Sequence, residues 1–265
     1  MRCNEKSRKR WSWAAFCVIA AVGTARATAA TFEMYPSVDA FVASGANAGK
    51  NFGAAGALEV AASGLPKGEF QTVLRFDAAP AIAYFDSLFG PGHWTVQNVS
   101  LGLSTGAPNN PVFNSPAAGQ LSVAWMQNDT WLEGTGTGSG KTALPGEISF
   151  SSLPSFLSSG DRELGTFNYD GSSGAHTLSL GLAPELLADV SAGNLVGLRM
   201  YAPTSSTVSC FFHSRSYDPE SERTVLVINA VPEPATVWLL LCAGALAGSR
   251  GTVRGLRCAR SRGTP

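Results

Sequence analysis

The chain predicts an all-β fold, an antiparallel β-sandwich of jelly-roll type with one short helix, flanked by an N-terminal signal helix and a C-terminal hydrophobic helix. Three observations carry that expectation. Short runs rich in β-branched and aromatic residues recur between clusters of Gly, Pro, Ser and Asn. Their close, even spacing suits a sandwich or jelly roll. In the run around Leu121, Val123 and Trp125 the apolar residues alternate, which puts all three on one face, taken as the core face.

In chain order the expected strands cover residues 31–35, 40–42, 58–61, 71–76, 96–103 and 121–126, then 147–150, 164–169, 176–180, 195–201, 208–212 and 224–229. Between the second and third, Asn51-Phe52-Gly53 reads as a turn in which Gly53 supplies a positive φ. Residues 184–190 alone look helical, with Pro184 near the start and about two turns of length. The Gly-rich stretch 134–142 reads Gly-Thr-Gly-Thr-Gly-Ser-Gly-Lys-Thr, which suggests a phosphate-binding loop. That reading fails, because the motif needs Gly where Thr135 stands, and Pro145 and Gly146 would break the helix that must follow. A flexible surface loop is expected there.

Both ends of the chain have a different character. Arg2, Lys6, Arg8, Lys9 and Arg10 precede an apolar stretch at 11–22, and small residues from Thr24 to Ala30 follow, the layout of an export signal cleaved between Ala27 and Thr31. At the other end Val231, Pro232, Glu233 and Pro234 precede an apolar stretch at 235–248, followed by Arg250, Arg254, Arg257, Arg260 and Arg262. Two prolines in four residues remove backbone donors and disfavour helix, so this motif is expected to be extended and exposed. Fourteen apolar residues span about 21 Å as a helix, short of the roughly 30 Å hydrocarbon core, which suits a transient stop better than a permanent anchor. The arginines would hold to the cytoplasmic side. The expected organisation is thus a signal at 1–30, a sandwich at 31–230 and a terminal segment at 231–265.

Without the two ends, residues 31–230 hold eight Lys and Arg against seventeen Asp and Glu, a net charge of −9, so nucleic acid is not an expected partner. Cys210 is the one cysteine left in that body, which excludes an internal disulfide, and its apolar strand-like setting predicts a buried, inert thiol. His93, His176 and His213 are scattered without zinc-ligand spacing, and no nucleophile elbow is present. Asp129 and Glu133 have the chemistry of a glycosidase pair, but an acidic chain offers such pairs by chance, and no enzyme is expected. No cofactor is expected either. A structural calcium ion on Asp39 would need several further oxygen ligands, and no dense Asp-x-Asp loop supplies them. Asp39, Asp77 and Arg215 are instead expected to pair in a network at the strand ends.

The order of Val231-Pro232-Glu233-Pro234, apolar stretch and arginines resembles the PEP-CTERM sorting signal of Gram-negative bacteria. That resemblance implies export through the Sec machinery, insertion of the tail in the inner membrane and processing by an exosortase. It further implies a place in the cell envelope, outer surface or extracellular matrix, associated with exopolysaccharide or biofilm. Within the body, Ser37 to Val42, Asn51-Phe52-Gly53, Val73 to Asp77, Trp125 with Asn128 to Glu133, and Phe212 to Arg215 resemble DNRLRE-type domains, which are related to carbohydrate-binding module family 96. This implies a β-sandwich and, as the alternative function, recognition of a polysaccharide. Sugar binding uses exposed aromatic rings, and Trp131, Trp94 and Tyr84 are the candidates. Trp125 is expected in the core, whereas Trp131 follows the Asn128-Asp129 turn and is expected on a loop.

Overall fold

A computed structural model describes residues 28–108 and 111–233. Its strands are β1 (Ala30–Met34), β2 (Val38–Ala43), β3 (Lys50–Asn51), β4 (Ala57–Ala61), β5 (Phe70–Asp77), β6 (Trp94–Thr105) and β7 (Gly119–Met126). They continue with β8 (Lys141–Thr142), β9 (Arg162–Tyr169), β10 (Gly174–Leu180), β11 (Leu195–Tyr201), β12 (Ser209–His213) and β13 (Val225–Pro232). Two helices interrupt them, α1 (Ala79–Phe89) and α2 (Pro184–Ala192).

All but two strands join one antiparallel sheet in the order β1-β13-β6-β12-β4-β5-β11-β7-β9, with β10 paired to β6 and β2 to β5. The sheet is sandwich-like: its inward residues meet in one core. Leu74 and Phe76 of β5, Leu121, Val123 and Trp125 of β7, Leu101 of β6, Leu178 of β10, Leu198 and Met200 of β11 and Ile228 of β13 all belong to it. The expected inward face of β7 is therefore the observed one. The paired strands β3 and β8 form a separate two-stranded patch.

Eleven of the twelve expected strands are present, each end within two residues of the expected one except the end of β13, which runs three residues further, to Pro232. Residues 147–150 are not a strand. Ile148 and Phe150 alternate as a strand would, but Glu147 makes only an isolated bridge to Leu132, and the backbone then closes into a 3-10 turn at Leu153–Ser155. The helix α2 begins at Pro184 as expected and ends at Gly193, whose left-handed φ of 68° lets its N–H reach the Asp189 carbonyl. The helix α1 was not expected. Pro80 sits in its first turn, where the missing donor costs nothing, and Asp77 Oδ1 accepts the Ala79 N–H at 3.0 Å.

The long segment after β7 packs against the outer side of β2 and β5. Trp131, Ile148 and Leu153 meet Ala40, Val42, Val73 and Met126 in a second core. A third small core of Phe41, Phe52, Phe70, Phe113 and Phe211 closes the neighbouring edge. Strand β5 is thus buried on both faces, which explains its nearly continuous apolar run.

The body ends as a strand. Val231 and Pro232 pair with Thr95 and Trp94, and the Glu233 N–H donates to the His93 carbonyl at 3.0 Å. The first half of the expected exposed motif is therefore sheet, because Pro232 lies where its lost donor can be tolerated at a strand end. Pro234, the apolar stretch, Arg250, Arg254, Arg257, Arg260 and Arg262, and the export signal up to Ala27 lie outside the described residues.

Candidate functional site

Polar side chains gather where the long segment meets β2 and the end of β12. Asn51 is fully buried and acts as a hub. Its amide donates to the Glu133 carbonyl at 2.6 Å and the Ile148 carbonyl at 2.9 Å, while Oδ1 accepts from the N–H groups of Gly53 and Gly136. All four bonds go to backbone, so a single side chain holds the segment down. Gly53 does not have a positive φ, contrary to expectation. It is glycine because a Cβ there would overlap the Glu133 carbonyl.

The same close approach explains the Gly-rich stretch. A Cβ on Gly136 would overlap the Asn51 carbonyl, and one on Gly140 would crowd the Phe52 ring at 2.8 Å. Lys141–Thr142 then form β8 against β3. The expected flexible loop is instead a packed flap whose glycines let backbone lie on backbone. No helix follows Lys141 and Thr142, so the phosphate-loop reading fails on structure as well.

Beside the hub, the Arg215 guanidinium makes two bonds to the Glu133 carboxylate, at 3.0 and 2.7 Å, and the Arg215 N–H donates to Asp39 Oδ2 at 2.6 Å. Glu133 Oε1 also accepts the Asp39 N–H. The expected network exists around Asp39 and Arg215, but its third member is Glu133. Asp77 faces solvent at the start of α1. Burial pushes the Asp39 carboxyl up to about 6 against the bond from Arg215, and the nearby Glu133 charge adds to the rise. Asp39 has its accepting oxygen committed to Arg215, and among the described residues no group of three His, Cys, Asp or Glu side chains could hold a metal ion.

Trp131 overturns its expected role. It is 0% exposed, because the flap folds it onto Val73 and Met126 with the Arg75 guanidinium 5.2 Å from its ring centroid. Trp94 is 8% exposed, its ring 5.0 Å from Phe85 and its Nε1 bound to Asp86 Oδ1. Neither can stack on a sugar. Tyr84 is 37% exposed and packs 5.3 Å from Phe32 on the outer side of α1. Trp125 is buried, as expected, with Nε1 on Asp189 Oδ2.

A shallow groove of about 570 Å³ lies over the Arg75 side of the flap, lined by Arg75, Gln127, Asn128, Asp129, Thr130 and Leu195. Arg75 is held by the carbonyls of Asp129 and Trp131. Burial, with the nearby Asp189 charge, pushes the Asp129 carboxyl up to about 6. Of this lining, sequence reasoning singled out Asp129, but as a partner of Glu133, and it did not bring Arg75, Gln127 and Leu195 to the same place. Glu133, paired to Arg215, is not available as a partner acid for Asp129.

Two further groups are buried along the β4–β12 pair, on opposite faces of it. Glu59 is fully buried, with Oε1 accepting from the Asn114 N–H and Ser209 Oγ and with Oε2 unpartnered. Burial raises its carboxyl to about 8. Cys210 is a buried free thiol, as expected, and burial pushes its pKa far up. Compared with known proteins, the chain matches no family model and no curated protein.

Proposed function

We propose that this chain is an exported, exosortase-sorted envelope or extracellular-matrix protein whose β-sandwich body is not catalytic and is associated with exopolysaccharide or biofilm. One observation supports it above the others: the body runs without a spacer into the sorting motif. Strand β13 ends at Pro232, the Glu233 N–H is still tied to His93, and the apolar stretch opens two residues later at Ala235. The order of parts required of a sorted substrate, folded body, motif, apolar stop and basic end, is present without interruption. Three body side chains with catalytic chemistry have structural employment: Glu133 holds Arg215, Asp39 holds the chain at Arg215, and Cys210 is packed in the core.

The test is expression of the full chain in a Gram-negative host with and without its exosortase. Wild type is expected to lose its tail and reach the envelope only when the enzyme is present. The variant Glu233→Ala, Pro234→Ala should keep its tail in both hosts. An unprocessed wild-type chain in the host with exosortase would overturn the reading.

A second reading, recognition of a polysaccharide, is favoured by the groove beneath Asn128 and Thr130. Its amide, carboxylate and guanidinium groups have the chemistry that sugar hydroxyls need, and Leu195 offers an apolar patch. Titration of the full chain with neutral and acidic polysaccharides would show saturable binding abolished by Asp129→Ala. Equal binding by Trp131→Ala, provided it stays folded, would separate this groove from the ring first suspected.

A further inference from the structure

The two ends of the body leave from one place. Ala30, at the start of β1, pairs with Ala230 of β13, and the strand that follows Ala230 finishes at Pro232 against Trp94. The apolar stretch at 11–22 therefore precedes, and the one at 235–248 follows, a single edge of the sheet. Helix α1 covers that edge. The Phe85 ring meets Trp94 at a tilt, 5.0 Å between centroids, His93 donates its N–H to the Gly90 carbonyl just after the helix, and the His93 carbonyl holds Glu233.

This same edge carries exposed apolar side chains. Leu88 is 52% exposed, and Tyr84, one turn earlier on the same helix face, is 37% exposed over Phe32. Only Glu233 and Pro234 separate Pro232 from the apolar stretch at Ala235, and two extended residues reach about 7 Å. A tail inserted in a bilayer must then hold this edge at the lipid surface. Tyrosine beside an aliphatic side chain is the composition that settles at that depth.

We infer that the outer face of α1, with Tyr84 and Leu88, is a lipid-contact surface on which the body rests while the C-terminal stretch is inserted. This rests on the sorting reading, since it requires the tail to enter a membrane. The bilayer is favoured over a second copy because the exposed side chains lie on the helix that packs beside Trp94 and Pro232, which only two residues separate from the apolar stretch.

The full chain, reconstituted into phosphatidylethanolamine and phosphatidylglycerol vesicles, provides the test. A polarity-sensitive dye would be placed at Leu88→Cys, at Ala175→Cys or at native Cys242, one site at a time, with the other cysteines except buried Cys210 changed to Ser. Ala175 is exposed and pairs with Ser104, at the opposite end of β6 from Trp94, so it reports the far side of the body. Nitroxide lipids are expected to quench the Cys242 and Leu88→Cys dyes several-fold more than the Ala175→Cys dye. Quenching at Cys242 with Leu88→Cys no different from Ala175→Cys would overturn the lipid-contact surface and leave sorting intact. No quenching at Cys242 would overturn both. A Leu88→Cys signal that follows protein concentration and ignores nitroxide lipids would assign the face to a second copy and overturn the proposal.

Discussion

Glu59 carries the largest electrostatic penalty of a carboxyl in this body. Its Oε2 has no partner, and burial lifts it from the ordinary 4.5 to about 8. A carboxyl raised on folding costs nothing while both states are protonated, then destabilises as the unfolded chain ionises, so its cost grows from about pH 4.5 and levels off above about pH 8. A shift of that size corresponds to roughly 4–5 kcal/mol at the plateau. Glu59→Gln keeps an acceptor for Asn114 and Ser209 and removes the ionisation, so urea unfolding should show it more stable than wild type at pH 8 and nearly equal at pH 4.5. A gain that is independent of pH would contradict this. Trp131 makes the opposite case. Trp131→Ala should cost about 3–5 kcal/mol, the usual range for a buried ring, read as a lower urea midpoint, whereas an exposed ligand-stacking ring would lose binding with little change in stability. The sequence could not distinguish these roles, since the Asn128-Asp129 turn before Trp131 gives no sign that the following flap folds back onto β5.

At the scale of elements, local pattern and long-range packing separate cleanly. Strand β11 was readable to its end residues because Leu195 to Tyr201 combines apolar character with a Gly-Asn turn in front of it. Residues 147–150 show the same alternation and form no strand, since beyond one isolated bridge to Leu132 their backbone is held by a hub side chain, Asn51, rather than by a neighbouring strand. The signals for α1 were present, a proline at the first turn and an acceptor at Asp77, yet the one helix expected from the sequence was that at 184–190. The flap is the element most dependent on distant contacts. Gly136→Ala would drive a methyl into the Asn51 carbonyl, and Asn51→Ala would leave four backbone groups without their partner. Each should expose the 134–142 stretch to limited proteolysis, with cleavage much faster than in wild type, while the far-side strands β6 and β10 keep their protection. Uniform cleavage across the body would mean that the flap does not open as a unit.

For the whole molecule, Glu59, Asp39 and Asp129 act in one direction. All three are raised, to about 8, about 6 and about 6, so stability falls as pH rises through roughly 4 to 8. His213 opposes them, because burial lowers its pKa and protonation of the unfolded chain below about pH 6.5 costs stability in acid. Three raised carboxyls outweigh one lowered imidazole, so calorimetry should find a higher melting temperature at pH 5 than at pH 8. The reverse order would show that unfolded-state charge repulsion dominates in this acidic body. What was readable of the whole was its class, a largely antiparallel β-sheet body. The junction between body and tail was not readable, since Val231 and Pro232 look like linker and are sheet.

The pairing of Ala30 with Ala230 also sets a schedule for folding. A chain delivered from its N-terminus presents β1 before the rest of the sheet, yet among the described residues the only strand that β1 joins is the last one, β13. Contacts this remote in sequence are the slowest to form. Until β13 arrives, β6 lacks its long neighbour and β1 is an unpaired apolar ribbon, the state in which a β protein is most exposed to aggregation. Closure of the sheet therefore reports that its final strand, and with it Val231 and Pro232, has been delivered: a body that is shut is one whose chain has been made at least to the end of β13.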